Sequence, residues 1–69
     1  MNENFREIKL RIRRLDEVLM REGGLSNIAF AQAVSRVHRL ERRGDRSREP
    51  GEELRSSLES AETLARALE

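Results

Sequence analysis

The sequence predicts an all-α protein, a small antiparallel three-helix bundle that associates into a dimer or a helical heteromer. Apolar residues recur at gaps of three and four along three successive segments, which is the spacing of one helix face. The segments have similar lengths and short connections, and short connections make neighbouring helices antiparallel. The 69 residues form one helical domain, 1–69, with helices at about 4–22, 26–43 and 50–68.

The first predicted helix carries a seam with the a/d spacing of a coiled coil. This first-helix seam consists of Phe5, Ile8, Ile12, Leu15 and Leu19. Asn4 can cap the start of the helix, and Gly23 and Gly24 follow its end. Two pairs have the i,i+4 order of ion pairs within the helix, Glu7 with Arg11 and Glu17 with Arg21.

The second predicted helix is apolar on one side and basic on the other. Ser26 is a plausible cap for its start. Its apolar side consists of Phe30, Ala33, Val34, Val37 and Leu40. Its basic side consists of Arg36, Arg39, Arg42 and Arg43. We therefore expect the arginines to face away from the bundle.

The third predicted helix begins at Pro50, because proline is tolerated at a first helical position, where its missing N–H would be unpaired anyway. Its apolar residues repeat at gaps of 4, 3, 4 and 3, and they are Leu54, Leu58, Ala61, Ala65 and Leu68. The alanines allow a neighbouring helix to approach closely.

The size and composition of the chain favour association with a partner. A domain of this length buries only about 60% of the surface of its unfolded chain, so its core alone gives marginal stability. Further apolar residues lie outside the three stripes: Leu10, Val18, Met20, Ile28 and Ala31. We expect association through the first-helix seam.

Few residues in the sequence have the chemistry of a catalytic or metal site. It has no cysteine, which excludes disulfides and thiolate metal sites, and a single histidine, His38, at the edge of an apolar stripe. No serine has an evident base beside it. We expect no catalytic residue, no cofactor and no metal site. Without an apolar run or a signal-peptide pattern, the chain is expected to be cytoplasmic, and its many arginines suggest a bacterial source.

These observations predict a non-enzymatic helical protein–protein interaction module: a small adaptor, regulator or chaperone-like partner. It would associate through the first-helix seam, with itself as a homodimer or with another chain as one half of a heteromer. The alternative is a small nucleic-acid-binding transcriptional regulator. Its arginine-rich helix face would consist of Arg36, Arg39, Arg42, Arg43 and Arg46. A net charge of +1 is low for a dedicated DNA-binding domain, which favours the first function.

Two short segments resemble known families. "SRVHRLERRG", residues 35–44, resembles the end of the recognition helix in MarR-type winged-helix repressors, which implies DNA contact and apolar wing strands after the glycine; here "DRSRE" follows, without an apolar residue. "RRGD" and "LESAETL", within residues 42–64, resemble the small helical-hairpin co-chaperones of type III secretion needle subunits. That resemblance implies a small helical partner that shields an apolar face of another protein.

Overall fold

Three helices pack against one another in the computed structural model, which describes residues 5–22, 27–44 and 51–69. They are α1 (Phe5–Glu22), α2 (Ile28–Gly44) and α3 (Glu52–Leu68), and the described residues contain no strand. The prediction of an all-α protein with three helices is confirmed, and each helix end lies within two residues of the expected one. The predicted caps and helix-end residues lie outside the described residues: Asn4, Gly23, Gly24, Ser26 and Pro50.

The core is formed by one row of apolar side chains from each helix. Its buried members are Ile8, Ile12, Leu15, Val18, Phe30, Val34, Val37, Leu54, Leu58, Ala61 and Ala65. The stripes read from the sequence contain all of these residues except Val18. Because α1 contacts both α2 and α3, its buried sector is wider than a seam against one helix, and the wider sector includes Val18.

The first-helix seam packs inside the chain's own core. Ile8, Ile12 and Leu15 are at most 3% exposed, and Phe5 and Leu19 are half-buried against the same cluster. Since α2 and α3 of the same chain cover the seam, these side chains offer little surface to a second protein. The seam residues therefore stabilise the fold of their own chain, and we no longer expect them to form an intermolecular contact.

Polar contacts between helices flank this core. Nε of Arg11 donates to Oε2 of Glu62 at 2.8 Å, and Arg21 donates to Oε1 of Glu69 at 2.9 Å, so both bonds join α1 to α3. Arg21 also lies 3.8 Å from the carboxylate of its neighbour Glu22. One of the two pairs predicted within α1 was Glu17 with Arg21, but Arg21 instead reaches across to α3.

The end of α2 packs closely against the start of α1. A Cβ atom added to Gly44 would lie 3.0 Å from Cζ of Phe5 and 3.9 Å from Cδ2 of Leu54. Glycine at this position therefore lets the end of α2 approach the Phe5 ring. None of the three described helices is long and apolar enough to cross a membrane.

Candidate interaction surface on helices α2 and α3

The exposed side of α2 carries four arginines, which we call the arginine face: Arg36, Arg39, Arg42 and Arg43. At about 100° per residue, Arg36, Arg39 and Arg43 fall within roughly 60° of one another, and Arg42 lies about 60° farther round toward α1. The fifth predicted arginine, Arg46, lies outside the described residues. The structure thus brings four of the five predicted side chains to one side of one helix.

The side chains of these four arginines make no hydrogen bond or ion pair with any residue that the structure describes. The only acid of α2 is Glu41, and its half-buried carboxylate lies 3.9 Å from Nδ1 of His38. His38 in turn contacts Asp16 of α1, with 2.8 Å between Nε2 and Oδ1. Glu41 is therefore turned toward α1, and the arginine face keeps its positive charge.

A groove runs between α2 and α3 beside the arginine face. One part of it has a volume of 240 Å³ and is lined by Arg36, Arg39, Leu40 and Arg43, with Glu53 of α3. The adjoining part has a volume of 380 Å³ and is lined by Ala29, Gln32, Ala33 and Arg36, with Ser56, Ser57 and Ser60 of α3. Arg36 lines both parts, so they adjoin each other, and together we call them the α2–α3 groove.

The two sides of the α2–α3 groove differ in character. The α2 side is basic at one end, and its side chains are small and apolar at the other, at Ala29 and Ala33. The α3 side presents short serine side chains, with one acid at the basic end, Glu53. A partner that fills this groove therefore meets a surplus of positive charge at one end and small side chains along the rest.

A second groove, between α1 and α3, has a more balanced set of charges. Its volume is 470 Å³, and its charged lining residues are Arg11, Arg14, Arg21, Arg66, Glu17, Glu62 and Glu69. Glu62 and Glu69 bind Arg11 and Arg21, so much of this charge is already paired within the chain. The α2–α3 groove has the larger surplus of arginines, with Arg36, Arg39 and Arg43 against the single acid Glu53.

His38 is a half-buried boundary residue with a carboxylate partner, as its place at the edge of an apolar stripe predicts. Among the residues that the structure describes, no group of three or more His, Cys, Asp or Glu side chains could hold a metal ion.

Sequence reasoning missed the α3 side of the groove. Ser57 and Ser60 belong to a row one position before the core row of α3, consisting of Glu53, Ser57, Ser60 and Leu64 at gaps of 4, 3 and 4. This spacing was the available signal, but serine carries no preference that marks it as an interface residue.

Comparison with protein families, with curated proteins and with solved structures finds nothing that matches this chain. The two family resemblances of short segments are therefore not supported. In addition, α2 runs unbroken from Ile28 to Gly44, without the preceding turn that a recognition helix in a winged-helix protein needs.

Proposed function

We propose that this chain is a non-enzymatic helical interaction module, a small adaptor, regulator or chaperone-like partner, that binds another protein through the α2–α3 groove. The observation that carries the proposal is the arginine face, four exposed arginines without a partner among the described residues. Neighbouring like charges on a helix cost stability. A partner with negative charge explains why the sequence keeps them together.

A heteromer is favoured over a homodimer by the same charges. Two copies that met groove to groove in antiparallel would set most of these arginines against serine and alanine side chains, which offer no counter-charge. A parallel contact would bring Arg36, Arg39 and Arg43 of both chains together, with only one Glu53 from each chain to offset them. Juxtaposed like charges disfavour such a contact. The proposal also takes consecutive helices to be antiparallel, which is supported by the contact of Asp16 with His38 and by the packing of Gly44 against Phe5.

Nucleic-acid binding is the second candidate, because exposed arginines on one helix face also suit contact with phosphates. It is less favoured because Glu53 lies in the same groove as three of the arginines, and a carboxylate repels phosphate. The unmodified chain should be mixed with a duplex DNA of about 20 base pairs at about 50 mM salt, where phosphate contacts are strong. An absence of binding there excludes this candidate.

The protein-binding proposal is tested with a photo-crosslinking amino acid at Ser57, inside the groove, and separately at Thr63, an exposed α3 residue that does not line it. In cells that naturally produce the chain, we expect adducts from position 57 that protease removes and nuclease does not. The substitutions Arg36→Glu and Arg39→Glu together should abolish them. Equal adducts from both positions, or none from position 57, would contradict the proposal, and nuclease-sensitive adducts would favour nucleic acid.

A further inference from the structure

We infer that the partner presents an acidic amphipathic helix, which lies lengthwise in the α2–α3 groove. The inference rests on the proposed function and names the chemistry of the partner. In the bound state, α2 and α3 would be covered by α1 on one side and by the partner helix on the other, which gives a four-helix arrangement.

The length of the groove suits a helix. Its α2 side extends from Ala29 to Arg43, which is about 21 Å at 1.5 Å per residue. A helix of about four turns has that length. A channel between two packed helices also has the form that accepts a third helix, with its axis about 8–10 Å from each neighbour.

The side chains along the groove repeat with the spacing that helix packing requires. On α2 they are Ala29, Ala33, Arg36, Leu40 and Arg43, at gaps of 4, 3, 4 and 3. The first three lie one position before the buried residues of α2, which are Phe30, Val34 and Val37. Knobs-into-holes packing uses this same periodicity. The groove therefore offers a second seam, in which Leu40 is half-buried. Leu64, at the far end of the α3 row, is 37% exposed and lies outside the lining of the groove.

The charges specify which helix fits. Arg36, Arg39 and Arg43 are spaced by three and four residues, so a partner helix with Asp or Glu at the same spacing can form several ion pairs at once. Each guanidinium offers a planar fork that matches a carboxylate. Glu53 is the single acid at this end of the groove and suits a basic residue on the partner.

The apolar residues of the groove decide between an acidic helix and a nucleic acid. Ala29, Ala33 and Leu40 line the same channel as the arginines. The apolar face of an amphipathic helix would remove these side chains from water, whereas a phosphodiester backbone would leave them without a matching surface. The helix therefore accounts for both the charged and the apolar lining.

The experiment uses the full chain and a panel of synthetic helical peptides of about 18 residues, with Glu at three- and four-residue spacing beside varied Leu and Ala positions. A twin panel has Lys in place of each Glu. Binding is measured by fluorescence anisotropy, and its location by NMR amide shifts. We expect Glu peptides to bind and to shift Ala33, Ser57 and Ser60, and Lys peptides not to bind.

Charge reversal provides the decisive comparison. In the variant Arg36→Glu/Arg39→Glu, the affinity for Glu peptides should fall by about tenfold or more, and binding of the Lys twins should appear, because the complementary charges have been exchanged. The matched control Arg14→Glu/Arg66→Glu makes the same charge change in the α1–α3 groove, and it should leave both affinities within about threefold. Circular dichroism verifies that both variants fold.

Three outcomes would overturn the inference: binding by neither panel, equal binding by both, or amide shifts on α1 instead of the groove. If crosslinking from position 57 still captures protein, the groove is an interaction site for a partner of different chemistry. If that crosslinking fails as well, the proposed function also falls. Competition by duplex DNA for the same amides, without peptide binding, would assign the face to nucleic acid.

Discussion

Two half-buried arginines, Arg11 and Arg55, differ in their hydrogen bonding. Arg11 directs Nε and a terminal guanidinium nitrogen at the two carboxylate oxygens of Glu62. Arg55 has a buried Nε without a hydrogen-bond partner in the part of the chain that the structure describes. A buried donor left unpaired costs about 1–3 kcal/mol, so the guanidinium of Arg55 is expected to lower stability.

Replacing Arg55 with Met should therefore leave the free energy of unfolding unchanged or raise it by up to about 1 kcal/mol, since the apolar stem is retained and the unpaired donor is removed. Urea denaturation measures the change. Arg66→Met, at an exposed α3 position, serves as the control and should change stability by less than about 0.5 kcal/mol. A loss of more than 1 kcal/mol at position 55 would show that this guanidinium stabilises the fold.

At the scale of the helix, the sequence was sufficient to predict the three helices and most of their buried side chains, because a 3.6-residue period determines which side chains share a face. It was insufficient where a helix has two neighbours. Val18 lies outside the first-helix seam, yet α3 covers it as well as the seam. Likewise, the local spacing of Glu17 and Arg21 predicted an ion pair within α1, but packing brings Glu69 within reach of Arg21.

The two α1–α3 ion pairs should differ in strength. The side chains of Arg11 and Glu62 are 27% and 21% exposed, and those of Arg21 and Glu69 are 60% and 50% exposed. Double-mutant cycles with Met and Gln should give a coupling of about 1 kcal/mol or more for Arg11 with Glu62, and less than about 0.5 kcal/mol for Arg21 with Glu69, which solvent screens. Equal couplings would contradict this assignment.

The arginine face should not stabilise α2. Arg39 lies three residues from Arg36 and four from Arg43, and such like-charge pairs cost about 0.2–0.5 kcal/mol each. The variant Arg36→Gln/Arg39→Gln is expected to be slightly more stable than the natural chain at about 20 mM salt, with the difference vanishing near 500 mM. Thermal unfolding at both salt concentrations measures it. Destabilisation at low salt would mean that these arginines hold the fold together.

At the scale of the whole molecule, the sequence predicted the arginine face, but it predicted a partner chain over the first-helix seam, where the structure places helices of the same chain. The spacing of Ile8, Ile12 and Leu15 is the same whether a helix of the same chain or of another chain covers them. The small expected core favoured the intermolecular choice. The α2–α3 groove could not be predicted, because it exists only once two helices have packed and brought Arg36 beside Ser57.

With the seam covered internally, we expect the isolated chain to be monomeric. Light scattering over a range of concentrations should give a mass near 8.0 kDa, with a helical circular dichroism spectrum on the same samples. A mass that rises toward twice this value with concentration would instead reveal self-association through another surface.

The uneven placement of charge has a consequence for how a partner arrives. Helix α2 carries four arginines and one glutamate, and α3 carries four glutamates and two arginines, so these two helices form an electric dipole with its positive end at α2, within a chain of net charge +1. Near an anionic molecule, this dipole produces a torque that turns α2 toward that molecule before any atoms are in contact. At physiological salt the Debye length of about 8 Å is shorter than the 21 Å width of the molecule. An approaching partner therefore interacts with the charges of the nearest face, and the small net charge of the whole molecule has little effect. The electrostatic torque orients the two molecules only when they are within about one nanometre of each other.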